Sequence, residues 1–268
     1  MSDLTDIGVN LLHSQFSADR EQVIQRARAA GVARMLITAT NLTEAEAAAT
    51  FCTGRSGLWC TAGVHPHDAK DVHAVPNWQA ELAALAQRSA VRAVGETGLD
   101  FFRNFSPPDV QLEVFRAQLA IAAERQLPVF VHDRDSQGHV AATLAEFAPH
   151  LPGVVVHCFT GSHEDLVGYL EAGYYIGITG WVCDQRRGEA LRGLVPLIPL
   201  DRLLIETDAP FLRPHNAPPA DNSQHRKRNE PALLPFVVRQ LAELYSCDPE
   251  HLASQTHGNA ERLFDLAD

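Results

Sequence analysis

The stretch Val91-Arg-Ala-Val-Gly-Glu-Thr-Gly-Leu-Asp100 is a short apolar run that leads into glycines and carboxylates. The run at Val91–Gly95 predicts a buried β-strand, and the apolar spacing of Pro108–Arg125 behind it predicts an amphipathic helix. Continuous apolar strands that alternate with helices are typical of a parallel sheet, because such strands are covered on both faces. The stretch therefore predicts one β-α unit with an acid, Glu96, where its strand ends.

The same unit recurs along the chain. Eight apolar runs predict strands at Asp6–Val9, Arg34–Thr38, Leu58–Ala62, Val91–Gly95, Val129–Val131, Val154–His157, Tyr174–Ile178 and Arg202–Ile205. Eight strands alternating with helices in 268 residues fit a (β/α)8 TIM barrel, which typically has about 250 residues. A doubly wound sheet is the alternative, although no G-x-G-x-x-G or Walker loop supports nucleotide binding. We expect one domain over residues 1–268.

Composition and charge limit the function classes. The formal net charge of −11 argues against broad electrostatic binding of nucleic acid, but a local basic groove with metal ions still suits a nuclease. The five cysteines are odd in number and contain no C-x-x-C, which predicts reduced thiols. Without a signal peptide or an apolar span, the chain is expected to be cytoplasmic. No apolar pairing stripe stands out, so we expect a monomer.

Metal-capable or acid–base residues follow five of the eight predicted strands. In a barrel, the carboxyl ends of the strands meet at one face, where active sites lie. The residues at these ends are His65 and His67 (third strand), Glu96 (fourth), His132 (fifth), His157 (sixth), and Glu206 and Asp208 (eighth). Imidazole and carboxylate groups that converge on one face predict a divalent metal site.

Each of these residues has its own predicted role. Glu96 is predicted to bridge metal as a catalytic carboxylate, and His132 and His157 are predicted to be metal ligands; buried histidines bonded to backbone are the alternative. Asp208 is the candidate acidic ligand that orients or deprotonates water. Glu206 is predicted to be a supporting catalytic acid with a role less direct than that of Asp208.

Other residues are candidates for substrate contact. His65 is predicted to contact ligand or substrate, with capping of a turn as the alternative, whereas His67 is predicted to serve the turn. Arg134 and Arg228 are candidate phosphate clamps, because a planar guanidinium matches phosphate oxygens. The long loop 213–231 contains a basic run that could guide a nucleic-acid backbone. Aromatic side chains that could stack on unpaired bases follow other strand ends, at Phe101, Phe102, Phe159 and Trp181.

Seven segments resemble the TatD family of metal-dependent deoxyribonucleases. They are Asp6–Asn10, Thr61–His67, Gly95–Asp100, Val131–Arg134, Val156–Gly161, Glu206–Pro210 and Arg228–Pro231, and they occur in the family's order. The resemblance implies a TIM barrel of the metal-dependent hydrolase type and a magnesium-dependent 3′-to-5′ exonuclease for single-stranded DNA or RNA. The metal ligands that it implies are Glu96, His132 and His157, with Asp208 as a further ligand or a catalytic acid.

The first segment departs from the wider family. Many relatives begin with D-x-H-x-H, whose histidines help to bind a second metal, whereas this chain has Gly8 and Asn10 at those positions. Neither glycine nor a neutral amide replaces an imidazole well. We therefore expect one firmly held metal, with a second recruited only together with substrate, whose phosphate oxygens would supply ligands. Mg²⁺ is the metal that the resemblance implies, and the imidazoles also suit Mn²⁺ or Zn²⁺.

Two other classes of function remain open from the sequence. Histidine-rich metal barrels also hydrolyse amides and esters, as an aminoacyl-tRNA deacylase does, and fold alone does not separate these reactions. The bridging lysine common in amidohydrolases is disfavoured, because neither Lys70 nor Lys227 follows a predicted strand. A binding protein with a decayed metal site is the third hypothesis; the retained cluster of acids and histidines argues against it. DNA repair and nucleic-acid turnover are the pathways that fit the resemblance.

Overall fold

The computed structural model describes residues 3–219 and 227–266. Its strands are β1 Leu4–Val9, β2 Val32–Ile37, β3 Leu58–Ala62, β4 Val91–Asp100, β5 Val129–Arg134, β6 Val154–Val156, β7 Tyr175–Ile178 and β8 Leu203–Ile205. Its helices are α1 Arg20–Ala29, α2 Leu42–Cys52, α3 Ala69–His73, α4 Trp78–Leu85, α5 Pro108–Arg125, α6 His139–Phe147, α7 His163–Glu171, α8 Glu189–Leu194, α9 Leu234–Tyr245 and α10 Pro249–Phe264. The strands are neighbours in chain order, β1 to β8, which is the predicted (β/α)8 TIM barrel.

Contacts between residues divide the chain into two compact units. The first unit comprises the described residues up to Ile37 together with Ile176–Glu261, and the second comprises Thr38–Tyr175 together with the described residues from Arg262 onward. The single domain expected over residues 1–268 stays a prediction. No helix within the described ranges is both long and apolar enough to cross a membrane.

The second unit contains β3 to β6, which pair in parallel. Thr61 lies opposite Ala93 in the β3–β4 pair, and Val131 lies opposite Val156 in the β5–β6 pair. The three residues of β6 are all buried, as are all five of β3. This double-sided burial explains why the strands are continuous apolar runs rather than alternating ones.

The first unit contains β1, β2, β8 and most of β7. Asp6 lies opposite Met35 in the β1–β2 pair, and Ile178 lies opposite Ile205 in the β7–β8 pair. All six residues of β1 are buried, including Asp6, so a carboxyl group lies inside this unit. Burial of a carboxyl is costly unless its oxygens are hydrogen-bonded, which makes its partners important below.

The largest difference from the sequence prediction concerns β4, which continues to Asp100 rather than ending at Gly95. Its pairing with β5 shifts register between Val94 and Thr97 and then resumes, with Gly98 opposite His132. A prediction from apolar runs ends too early here, because polar residues continue the same ladder of hydrogen bonds after the irregularity.

The predicted long loop, 213–231, is described on both sides of residues 220–226. The predicted basic run His225–Arg228 lies partly outside the described residues. Arg213 Nη1 donates to the carbonyl of Arg228 at 3.0 Å, and Asn229 N donates to the carbonyl of Pro210 at 3.0 Å. These bonds attach the described end of the loop to the segment that follows β8.

Candidate metal centre

The backbone irregularity in β4 positions Glu96. Gly95 has φ +150°, and a Cβ built there would lie 2.3 Å from the carbonyl oxygen of Phe130. Only glycine therefore lets β4 approach β5 so closely. The Glu96 amide leaves the regular ladder and donates to the carbonyl of Ala39 at 2.9 Å. Such irregularities commonly redirect a side chain beside an active site.

Three imidazoles surround one oxygen of Glu96. Glu96 Oε1 lies 2.8 Å from His157 Nε2, 2.9 Å from His132 Nδ1 and 3.2 Å from His65 Nε2. The four residues come from strand ends or the loops after them in the second unit. Glu96, His65 and His157 are buried, and His132 is partly buried. The sequence prediction that Glu96, His132 and His157 converge thus agrees with their placement, and His65 joins them.

The three imidazoles favour the ionised form of the Glu96 carboxyl group. Burial alone would raise the pKa of Glu96, but the fields of His157 and His65 and the hydrogen bonds from His132 and His157 hold that pKa well below its ordinary value. Burial lowers the pKa of His65. For His132, burial acts in the same direction, but the carboxylates of Asp100 and Glu96 outweigh it and raise the pKa. Glu96 is therefore anionic at neutral pH.

The donor atoms fit a divalent metal ion. Single donor atoms of His65, Glu96 and His132 all lie within 4.8 Å of one another. His132 Nε2 is buried and has no hydrogen-bond partner among the described residues. A buried nitrogen without a hydrogen bond is costly, which fits a ligand role for this atom. Imidazole with carboxylate suits Zn²⁺ or Mn²⁺, whereas Mg²⁺ prefers oxygen ligands, which the cluster offers through Glu96.

Asp100 and His67 form a second layer that the sequence analysis missed. Asp100 Oδ2 lies 2.7 Å from His67 Nε2 and 3.6 Å from His132 Nε2. Burial opposes ionisation of Asp100, but His132, the amide of Arg103 and His67 together lower its pKa strongly. The prediction that His67 serves only a turn omitted this contact. Asp100 lies four residues after Glu96, and only the continuation of β4 brings it to the same cluster.

Two buried glutamines of α5 fix the loops beside the cluster. Gln118 accepts from the amide of Val64 at 2.8 Å and donates to its carbonyl at 2.9 Å, next to His65. Gln111 accepts from the amide of Asp100 at 2.9 Å. The two are seven residues apart and so share one face of the helix. Their spacing within an apolar face is a signal that could have identified them.

The predicted acids after β8 lie in the first unit. Asp208 has φ +51°, and its Oδ1 accepts from Asn10 Nδ2 at 2.9 Å. Its amide donates to the carbonyl of Gly8 at 2.8 Å. Glu206 is fully buried, and its amide donates to the carbonyl of Ile178 at 3.1 Å. The two residues that replace histidines in the first segment thus hold Asp208 through neutral hydrogen bonds.

The two candidate phosphate clamps have different surroundings. Arg134 is exposed, and its guanidinium lies 4.3 Å from the centre of the Phe102 ring. Arg228 is buried, and its guanidinium donates to Asp19 at 2.8 and 2.7 Å and to Glu230 at 2.6 Å. The carboxylates occupy the donors that a phosphate would need. This placement favours a structural role for Arg228.

Comparison with known proteins identifies the family. The family model described as TatD related DNase matches residues 5–265. The 3′-5′ ssDNA/RNA exonuclease TatD of Erwinia billingiae is 51% identical over 266 residues, which cover 97% of this chain and 98% of the relative. The protein of the same name from Citrobacter rodentium is 50% identical over 265 residues, covering 97% of both chains.

A solved structure supports the same assignment. The crystal structure of YJJV, a TatD homolog from Escherichia coli k12, has a TM-score of 0.87 and 28% sequence identity, and the match covers 98% of each chain. Likeness of fold alone would leave the reaction open. The match of the family model and the identity to curated relatives extend over nearly the whole chain, including every segment that forms the cluster. The chain belongs to the family of TatD-related DNases.

Proposed function

We propose that this chain is a metal-dependent 3′-to-5′ exonuclease that hydrolyses phosphodiester bonds of single-stranded DNA and RNA. The observation that carries the proposal is the set of three imidazoles around Glu96 Oε1, at 2.8 to 3.2 Å. The relatives that are about 50% identical to this chain bear the name 3′-5′ ssDNA/RNA exonuclease.

Glu96, His132 and His157, together with His65, would hold the metal, which we propose to be Mg²⁺, with Mn²⁺ or Zn²⁺ as substitutes. A divalent ion supplies Lewis-acid polarisation of a phosphate oxygen and lowers the pKa of bound water. Glu96 contributes the negative charge of the ligand set. His65 sits at the edge of the set and would contact either metal or substrate phosphate, as the sequence analysis predicts.

Two acids and two arginines have further roles in this proposal. Asp208 would orient the attacking water and accept its proton, and the amide of Asn10, 2.9 Å away, would hold that carboxylate in position. Glu206 would serve as the supporting acid. Arg134 would bind the phosphate with its exposed guanidinium. We assign Arg228 to the ion pairs with Asp19 and Glu230 rather than to substrate.

We further propose that the protein acts as a cytoplasmic monomer in DNA repair or nucleic-acid turnover. All five cysteines are free thiols, as in a reducing compartment. Gel filtration with light scattering tests the monomer. Sensitivity of a deletion strain to DNA damage tests the pathway.

Digestion of a 5′-labelled single-stranded oligonucleotide with Mg²⁺ tests the proposed reaction. We expect a ladder that shortens from the 3′ end and that disappears with EDTA or with Glu96→Ala. Glu81→Ala, an exposed carboxylate on α4, is the matched control and should keep full activity. An oligonucleotide that stays intact with Mg²⁺, Mn²⁺ and Zn²⁺ alike would overturn the proposal and make ester and aminoacyl substrates the next candidates.

A further inference from the structure

The loop of residues 101–106, which directly follows β4, carries two exposed aromatic rings. Phe102 is 60% exposed and Phe105 is 53% exposed. Of the four rings suggested by the sequence, Phe159 is buried, and Phe101 and Trp181 are only partly accessible. Single exposed apolar side chains are common on protein surfaces, but two aromatic rings on one short loop beside a cluster of acid and imidazole groups are candidates for a binding surface.

This loop is fixed at both ends by hydrogen bonds. At its start, Asp100 Oδ1 accepts from the amide of Arg103 at 2.8 Å. At its end, the buried Ser106 donates through Oγ to the carbonyl of His67 at 2.9 Å, and its own carbonyl accepts from Gln111 at 2.7 Å. The two exposed rings are therefore presented by an ordered backbone, so a ligand would bind them with a small loss of conformational entropy.

Each exposed ring contacts a side chain near the proposed site: Phe105 contacts His67, and Phe102 contacts Arg134. The Phe105 ring lies 4.7 Å from the ring of His67, which lies 4.2 Å from His65, and His65 lies 4.6 Å from His132. These rings form a continuous row from the imidazoles around Glu96 to the surface. The Phe102 ring lies 4.3 Å from the guanidinium of Arg134.

We propose that Phe102 and Phe105 are a stacking platform for the unpaired bases at the 3′ end of the substrate. The inference rests on the proposed exonuclease function and names the subsite of that reaction. A nucleotide carries a flat base, which stacks on aromatic rings, and a phosphate, which Arg134 would bind beside Phe102. Stacking requires an accessible base face. The platform therefore favours single strands and tolerates any base sequence.

The test compares two 5′-labelled oligonucleotides that differ only in their last three nucleotides, which are normal in one and abasic in the other. With wild-type protein, kcat/KM should be about tenfold or more higher for the normal strand. Phe105→Ala should remove most of this preference by slowing the normal strand alone, and Phe102→Ala should reduce it. Phe105→Trp should restore it, because any aromatic ring can stack.

Controls separate this subsite from the reaction itself. Leu197→Ala, another exposed apolar side chain, should leave both rates unchanged. Equal slowing of both strands by Phe105→Ala, or a wild-type protein with no preference, would overturn the platform while the exonuclease stands. A wild-type protein that cleaves neither strand would overturn both. Melting curves should show Phe105→Ala as stable as wild type, since the ring it removes is exposed.

Discussion

Two buried carboxyl groups, Glu96 of β4 and Asp6 of β1, have pKa values shifted in opposite directions because their neighbours differ. Asp6 is fully buried; its Oδ1 accepts from the amide of Thr207 at 2.9 Å, and its Oδ2 accepts from the Thr207 hydroxyl at 2.5 Å. Burial dominates and raises its pKa to about 7. Glu96 is almost as buried, but three imidazoles keep its pKa well below the ordinary value.

The comparison shows that neighbouring imidazoles, rather than the degree of burial, decide whether the pKa of a buried carboxyl group is lowered or raised. The segment with Asp6 has Gly8 and Asn10 where the wider family resembled by this sequence has histidines. Among the described residues, Asp6 accepts hydrogen bonds from the amides of Gly8 and Thr207 and from the Thr207 hydroxyl. This difference supports the expectation of one firmly held metal per chain.

Removing the charge of Glu96 should have the largest effect on hydrolysis and metal binding. We expect Glu96→Gln to lower the rate of oligonucleotide hydrolysis by about 10³-fold, since it removes the negative charge among the three imidazoles and several kcal/mol of metal-derived stabilisation. Isothermal titration with Mn²⁺ should show the matching loss of affinity. Asp6→Asn is the isosteric control and should retain metal binding. Unchanged metal affinity in Glu96→Gln would refute the assignment of the cluster.

The raised pKa of Asp6 predicts that the free energy of unfolding depends on pH. Its folded-state pKa, about 7, exceeds the ordinary value of 3.8, so its contribution to stability is present below pH 4 and lost as the pH rises to 7. Between pH 5 and pH 8, we expect Asp6→Asn to gain about 3 kcal/mol in unfolding free energy relative to wild type. Urea unfolding at both pH values measures this. A difference that is independent of pH would mean that Asp6 is already ionised.

Much of the fold was predictable, because strands covered on both faces must be apolar runs. The bounds of α5 match the sequence prediction, and the eight strands occur in the predicted order. Histidines and acids directly after such runs can also be predicted to lie close together, since the carboxyl ends of parallel strands lie on the same face. This explains why the sequence could predict that Glu96, His132 and His157 lie close together, as they do.

Other parts of the site depended on tertiary geometry. Asp100 reaches the cluster because β4 resumes its pairing after an irregularity, and no apolar pattern reports that continuation. Arg228 looked like a phosphate clamp, yet Asp19, far away in sequence, occupies its guanidinium. Partners at such sequence separation cannot be read from local composition. His67 is a similar case, because its contact Asp100 lies 33 residues away in the sequence.

Asp100→Asn tests whether a carboxylate next to the proposed ligands contributes to metal affinity. Loss of the carboxylate beside His132 and His67 should weaken metal affinity by about 10- to 100-fold, because outer carboxylates orient metal-binding imidazoles. Metal titration of the purified variant measures the change. Asp68→Asn, on the same loop as His67, is the matched control and should bind metal normally. An equal effect of the two variants would indicate general damage to the loop.

A third carboxylate, Asp19, completes the comparison, because its partners are guanidiniums and its surroundings are partly exposed. The hydrogen bond from Arg228 is the main cause that lowers the pKa of Asp19 to about 2. A lowered folded-state pKa stabilises the protein above pH 4, and this stability is lost as the pH falls towards 2. With a side chain 25% exposed, the pairing should contribute about 1 kcal/mol after screening by solvent.

Asp19→Asn should therefore lower the unfolding free energy by about 1 kcal/mol at pH 7 and by less at pH 3. Asp201→Asn is the matched control, because the ion pair of Asp201 with Arg202 is largely exposed and should contribute almost nothing. Urea unfolding at the two pH values distinguishes the pairs. If Asp19→Asn lowers the unfolding free energy as little as Asp201→Asn does, the bidentate ion pair of Asp19 with Arg228 does not stabilise the loop 213–231. Arg228 would then be available again as a phosphate ligand.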